Sequence, residues 1–379
     1  MAIDKAELES LIQHDSGPGG RVLSVYLETD QSRQANLNRG FMVALAEQFR
    51  AIEQQITDDR YRNRFRADAG RVAAAAERRV PRGRSLIYFC DSGTDLFFER
   101  ELAVPIRTQV RWEPSAWVRP LVELLDDYER YAVVIVDKEE ARLFTVWLGE
   151  IEEQREMFSA RRKRFKQTAK DAVMSQPNLQ RREDEHVNLH LKAVADALDS
   201  LASERAFDRL ILGGPRELLK ALQTRFSKRL QEMVASETPL AIDANEREVL
   251  QTTMEIAEKA ERANEADTVE RLITAGSKQR QAVLGLDAAL ESMRLGRIMQ
   301  LVYAENYSHS GAQCGNCASL FPDGVDVCGF CGGQVRSVDD VVSRLVDRVV
   351  DTGGDAECVR GPAADRLRPH GSVGAFLRF

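Results

Sequence analysis

Six cysteines among 379 residues are too few to staple a chain of this size, and four of them fall between positions 314 and 331. A disulfide scaffold is excluded, and a reducing compartment is implied. Long apolar runs are missing too: no window reaches the ~18 residues that a membrane-crossing helix needs. The first residues, MAIDKAELESLIQHDSG, carry acids where a secretory leader has a basic start and an apolar stretch. The expected compartment is the cytoplasm, with no membrane partner. Positive charge is in deficit, with 53 Lys and Arg against 60 Asp and Glu for a formal −7. Any nucleic-acid contact must then come from a local patch, because the field of the whole molecule repels phosphate. The chain also lacks a phosphate-binding P-loop, a dinucleotide glycine fingerprint and a GxSxG elbow. Gly213-Gly214-Pro215 reads instead as a turn into a helix.

What is present fits a globular chain of two or three domains, with 43% hydrophobic and 30% charged residues. Val22–Leu27 and Leu86–Cys90 are β-branched and aromatic runs that predict buried strands, and a further strand pair is expected within 95–111. Between them, 38–79 is helical, with Phe41, Val43, Leu45, Phe49 and Ile52 at helical spacing. From Tyr131 the pattern changes to a strand, Ala132–Val136, and a second, Ala141–Leu148, that together predict a hairpin. A polar stretch, a long helix over roughly 180–205, a strand at 210–212 and a helix carrying Leu218, Leu219, Leu222 and Phe226 follow. Residues 243–271 hold nine acids and four bases and predict an exposed connecting helix. The remainder predicts a helix (Val269–Thr274), an apolar turn (Gln281–Leu286), a helix (Asp287–Arg294), a strand (Arg297–Ala304), the cysteine insert, a helix (Val338–Asp351) and a terminal strand (Ala375–Phe379).

Cys314-Gly-Asn-Cys317 and Cys328-Gly-Phe-Cys331 are two CxxC knuckles ten residues apart. Each supplies two thiolates from a tight turn, and four thiolates in a tetrahedron suit a structural Zn2+ with no position left for water. The competing reading is a redox-active pair. Cys90 and Cys358 stand far from the cluster and read as small buried hydrophobes. Gly332-Gly333-Gln334 directly follows Cys331 and belongs to the exit of this insert.

Residues 155–182 concentrate positive charge in an acidic chain: Arg155, Arg161, Arg162, Lys163, Arg164, Lys166, Lys170, Arg181 and Arg182 against Glu156 and Asp171. So polar a run cannot bury itself. It reads either as an arm that neutralises RNA phosphates or as a solvated helix face. Within it Met174-Ser175-Gln176 precedes Pro177 and the long helix, which puts a glutamine at a loop-to-helix junction. His186 and His190 lie four apart on that helix, but no third metal ligand is evident, so a polar, partly exposed helix face is expected.

Five stretches carry a family likeness: SVYLETDQ near the start, YAVVIVDKEEARLFTVWLGEI and FDRLILGGPRELLKAL in the middle, ALESMRLGRIMQLVY before the cysteines, and GSVGAFLRF at the end. With these the chain resembles, over nearly its full length, the bacterial members of the archaeal and eukaryotic class-one release factor and Pelota superfamily. The resemblance implies three domains of mixed α/β and α+β class. They are an α+β decoding-centre-like domain (1–127), an RNase H-like central domain with the basic loop 155–182 (128–264), and a kink-turn-binding-protein-like domain with an inserted zinc ribbon, 314–331 (265–379). It also implies a tRNA-shaped protein that enters the ribosomal A site, with rRNA and tRNA as partners and a translational GTPase such as elongation factor Tu as a further one.

In release factors of this family a GGQ loop in the central domain positions water against the peptidyl-tRNA ester. Here Met174-Ser175-Gln176 stands in its place, so Gln176 maps onto the glutamine while both glycines are absent. Their loss raises the cost of left-handed backbone there. No NIKS motif for stop-codon reading is found in the first domain, which has a stretch such as Thr57–Tyr61 instead. The expected function is A-site binding in rescue or hibernation without stop-codon reading. The alternatives are codon-independent peptidyl-tRNA hydrolysis through Gln176, and an RNA-binding module acting away from the ribosome.

Overall fold

The structure is a computed structural model that describes residues 5–158, 176–204, 206–278 and 280–379. It divides into two compact units, Met1–Asp127 together with Glu261–Phe379, and Tyr128–Ala260. No helix among the described residues is long and apolar enough to cross a membrane.

The first unit begins with a short helix, α1 (Lys5–Ile12), and an antiparallel sheet, β1 (Val22–Glu28), β2 (Ser85–Asp91), β3 (Leu96–Leu102) and β4 (Gln109–Glu113), in the order β3-β2-β1-β4. Val25 faces Tyr88 on one side and Val110 on the other, so β1 is paired along both edges and buried from Val22 to Leu27. Helices α2 (Gly40–Gln55) and α3 (Asp59–Arg78) cover one face. The Asp58 side chain starts α3 by accepting from the Arg60 N–H, and Phe65, Ala69, Val72 and Ala76 then recur on the buried side. A further helix, α4 (Arg119–Asp127), ends this stretch.

The second unit is built on β5 (Tyr131–Val136), β6 (Glu140–Trp147), β7 (Glu150–Phe158), β8 (Arg209–Gly213) and β9 (Val234–Thr238), in the order β7-β6-β5-β8-β9. β5 and β6 form the expected hairpin, while β8 runs parallel to both β5 and β9. β5 reads as one apolar run because both its faces are covered. Ala132, Val134 and Val136 pack beneath α5 (Gln176–Ser203) and α6 (Arg216–Gln223), whereas Tyr131, Val133 and Ile135 pack against Val249 and Ala257. A short helix, α7 (Lys228–Met233), leads into β9. β7 falls in the stretch expected to be polar and irregular. Its charged residues lie on an edge strand, and edges tolerate charge.

The chain returns through α8 (Glu246–Ser277), one continuous helix where a charged connector and a separate short helix were expected. It is not exposed all round: Val249, Thr253, Ala257, Glu261, Glu265, Val269 and Leu272 are buried at spacings of three or four, and glutamates within that stripe hide it from a reading of composition. The closing segment forms a mixed sheet of β10 (Ala282–Leu284), β11 (Ile298–Ala304), β15 (Asp355–Val359) and β16 (Val373–Leu377), in the order β10-β16-β11-β15. Around it lie α9 (Leu286–Arg294), α10 (Val341–Asp351) and α11 (Gly361–Leu367). β10 was expected as a turn, and β15 and α11 were not foreseen. A three-stranded insert, β12 (Gly311–Cys314), β13 (Leu320–Phe321) and β14 (Val335–Val338), precedes α10.

The opening and closing segments of the first unit are joined by a buried polar chain. Asp340 caps α10 by accepting from the Ser343 N–H at 3.2 Å and its hydroxyl at 2.6 Å, and the Ser343 oxygen accepts from the Trp117 indole N–H at 3.1 Å. Arg119, 6% exposed, pairs with Glu123 at 2.8 Å and with Asp340 at 3.5 Å, and donates to the Tyr307 carbonyl at 2.9 Å. Burial works against its charge, but Tyr303, Glu123 and Asp340 outweigh that and hold the guanidinium firmly protonated. Arg344 adds a bond to Glu113 at 2.6 Å. Arg119→Ala would take from Glu123 and buried Asp340 the guanidinium they share, leaving Asp340 only Arg111 at 3.6 Å, and a loss of about 3 kcal/mol is expected from urea unfolding. In the second unit Gly214 sits at φ +129°, and a Cβ there would stand 2.2 Å from the Val136 carbonyl oxygen. Gly214→Ala should therefore cost about 2–3 kcal/mol by the same measurement.

Candidate metal centre and nucleic-acid interface

The insert before α10 brings the two cysteine knuckles together. β12 pairs with β13 and β14, which places Cys314 at the end of a strand and lets the chain turn twice around the thiols. In the first knuckle the Asn316 N–H points at the Cys314 sulfur at 3.4 Å, and Ala318, in the left-handed region, donates to the Cys314 carbonyl at 3.1 Å. In the second, Gly332 donates to the Cys328 carbonyl and Cys328 donates to the Gly333 carbonyl, each at 2.9 Å.

All six cysteines are free, and the sulfurs of Cys314, Cys317, Cys328 and Cys331 lie within 4.8 Å of one another. Cys314 and Cys331 are 3.4 Å apart, and Cys317 and Cys328 3.6 Å. Four ligands at about 2.3 Å from a tetrahedral ion would be about 3.7 Å from each other, so the donor set fits a metal ion without rearrangement. Gly333 is part of that fit: a Cβ would come within 3.3 Å of the Cys314 and Cys331 sulfurs. Gly332, at φ +69°, makes the turn, so the Gly332-Gly333-Gln334 tripeptide is accounted for by the ribbon itself.

The thiols differ in environment. The Ser319 hydroxyl, 3.2 Å away, is the main influence pulling Cys317 down to about 6. The Gly333 N–H lowers Cys331, and burial pushes Cys328 up to about 11. Ser319 was not singled out from sequence, and Gly333 only as part of the tripeptide that leaves the insert, because nothing in a residue two places from a cysteine marks it as a thiolate donor. Cys90 and Cys358 are buried as expected, and burial raises both, Cys90 to about 12.

The basic residues divide. Arg161, Arg162, Lys163, Arg164, Lys166 and Lys170 lie outside the described residues, as do Met174 and Ser175. Gln176 is the first described residue of α5, but its side chain is not described, nor is that of Arg182. Arg181 is exposed on α5 and lines an open groove of about 590 Å³ with Lys192 and Arg225, opposite Asp184, Glu185 and Asp196. Arg225 donates to the Asn188 side-chain oxygen at 2.5 Å. Mixed charge makes this groove a poor cradle for phosphate by itself.

His190 is 4% exposed rather than lying on a polar face, because it falls beside Leu191 and Val194 on the side of α5 turned to the core. His186 is half-buried one turn away, and the two form no cluster with a third ligand among the described residues.

Residues 117–258 match the family described as bacterial archaeo-eukaryotic release factor family 10. That span contains α4 and almost the whole second unit. Over that span, which is less than half of the chain, the protein is similar to release factors of the bacterial archaeo-eukaryotic type. It is similar to the uncharacterized protein YocB of Bacillus subtilis, 24% identical over 262 residues that make up 66% of this chain and 98% of YocB. Among solved structures it is similar to the archaeal translation termination factor aRF1, with 15% identity, 100% of this chain and 99% of that one covered, and a TM-score of 0.27. It is also similar to S. cerevisiae Dom34, a translation termination-like factor involved in RNA quality control pathways and interacting with Hbs1. There identity is 12%, coverage 78% and 79%, and the TM-score 0.43.

The thiol environments give a measurable order. In metal-stripped protein at pH 7, iodoacetamide should modify exposed Cys317 and Cys331 first and leave Cys90 and Cys358 unmodified, read by peptide mass spectrometry. Labelling of Cys90 at a comparable rate would contradict its packing.

Proposed function

We propose that the protein is a ribosome-associated factor that binds the A site through its first and second units, acts in rescue or hibernation, and does not read stop codons. The supporting observation is the family match across 117–258, which includes the arginine- and lysine-rich stretch 155–182. Six of its bases, from Arg161 to Lys170, stand close enough in sequence to neutralise several rRNA phosphates together, supplying locally what a chain of net charge −7 lacks as a whole. Thr57–Tyr61, where a codon-reading motif was sought, supplies the cap and first turn of α3. A tRNA and a translational GTPase such as elongation factor Tu remain part of the proposal.

The test is co-sedimentation with ribosomes at several salt concentrations. Wild-type protein should pellet at moderate salt, and Glu at Arg161, Arg162, Lys163 and Arg164 together should weaken binding at least about tenfold and flatten its salt dependence. Equal pelleting of both forms would remove the arm from the account, and no pelleting of wild type would remove the ribosome.

A second reading is hydrolysis of peptidyl-tRNA, favoured by retention of a glutamine at 176 beside this charge. It requires Gln176 to orient a water, since Val173-Met174-Ser175 offers none of the backbone freedom that glycines provide. Single-turnover peptide release separates the two. A rate that falls at least about a hundredfold in Gln176→Ala supports hydrolysis, and equal rates leave binding alone.

The metal is proposed to be zinc, held by Cys314, Cys317, Cys328 and Cys331 in a structural role. With four thiolates no coordination position is left for substrate. Metal analysis should find one zinc per chain, and Cys328→Ser should abolish it and raise hydrogen exchange across 311–338.

A further inference from the structure

The chain leaves the first unit at Asp127 and re-enters it at Glu261, and both crossing points border one buried cluster of carboxylates. Asp126 and Asp127 end α4, Glu261 and Glu265 are one turn apart on α8, and Glu357 stands on β15. Glu265 is 0% exposed and Glu357 3%, and oxygens of Asp127, Glu261 and Glu265 lie within 4.8 Å of one another. Two guanidiniums are in contact. Arg262 reaches Glu265 at 2.7 Å and Asp127 at 3.6 Å, while the Arg360 guanidinium bonds Asp127 closely and its backbone N–H donates to Glu265 at 3.2 Å. The Cys358 N–H donates to Asp126 at 3.2 Å, and Gln300 on β11 donates to Glu357 at 2.6 Å. Also facing the cluster are Glu123 on α4, Tyr303 on β11, Cys358 on β15, and Thr268 and Arg271 on α8.

Acid therefore exceeds base where water is scarce, and full ionisation would set like charges against each other with too little compensation. We propose that the α4–α8–β15 junction is a proton-operated clasp on the two chain crossings, closed while Glu357 and Asp126 carry protons and loosened when Glu357 ionises.

The electrostatics agree with this geometry. Burial pushes Glu357 up to about 7; Glu265 repels it further, while Thr268 and Arg271 pull the other way. Burial raises Asp126 well above the usual carboxylate range, with Glu357 and Glu261 adding to the shift. Burial also raises Asp127 and Glu265 against the opposing pull of Arg360 and Arg262. The sign follows from the raised position of Glu357. Its contribution to the closed junction is fully present below about 4, where the carboxyl would titrate if solvated, and is lost as pH rises through about 7.

Hydrogen exchange of the full chain at pH 6, 7 and 8, corrected for intrinsic rates, tests the clasp. Protection of backbone amides in 120–127, 261–268 and 355–361 should fall about fivefold from pH 6 to 7 and less than about twofold from 7 to 8. In Glu357→Gln it should stay within about twofold. Asp347 on α10, which burial also pushes up to about 7, could give the whole unit a background pH dependence. Asp347→Asn should therefore keep the local fall. If Glu357→Gln does not fold, Glu265→Gln is read instead, and it should leave the fall in place but shift it to lower pH by removing the neighbour that repels Glu357. Flat protection in wild type overturns the clasp, as does an unchanged fall in Glu357→Gln or its loss in Asp347→Asn.

Discussion

The first unit depends on a buried bond between two stretches more than two hundred residues apart in the chain. Arg119 begins α4 and Asp340 caps α10, and their ion pair, continued through Ser343 to Trp117, welds the start of the sequence to its end. Because both ends of this unit are committed to each other, everything from Tyr128 to Ala260 leaves and returns as an insertion. Breaking the weld by removing one partner is expensive, since the charge left behind cannot reach water. The same economy governs the carboxylate cluster at the crossing points, where protons supply the compensation that a further base would otherwise provide.

The candidate metal centre follows a different logic. Its four thiols converge because three short strands and two tight turns leave them no other arrangement, and Gly333 keeps the space between sulfurs open. So small an insert buries little apolar surface: Leu320 and Ala312 are among its few buried hydrophobic side chains. Metal ligation is the natural source of the remaining stability. This is why the ribbon was legible from spacing alone, whereas Ser319, which tunes Cys317, was not.

The central unit shows where reading by periodicity succeeds and where it stops. β5 and β8 were plain because strands covered on both faces are apolar throughout. β7 was missed because an edge strand can carry Glu, Gln and Arg without penalty, and its pairing with β6 supplies the order that its composition lacks. The buried stripe of α8 was missed for a related reason: glutamates at 261 and 265 hold places that hydrophobic residues usually fill, and the counter-charges of Glu265 are Arg262 on the helix itself and Arg360, distant in sequence. His190 was placed on a polar face by its neighbours in sequence, yet α5 turns it toward the sheet.

By itself the sequence determined the mixed α/β class, the hairpin and parallel strand of the central sheet, the four cysteines of the ribbon and the likeness to release factors. Each is written in local spacing or in runs of residues adjacent along the chain. Only tertiary structure decided that the first and last segments share one unit, that five acids meet two arginines at the chain crossings, and which cysteines receive hydrogen bonds. Those outcomes depend on which distant groups lose water together, and no window of sequence contains both partners.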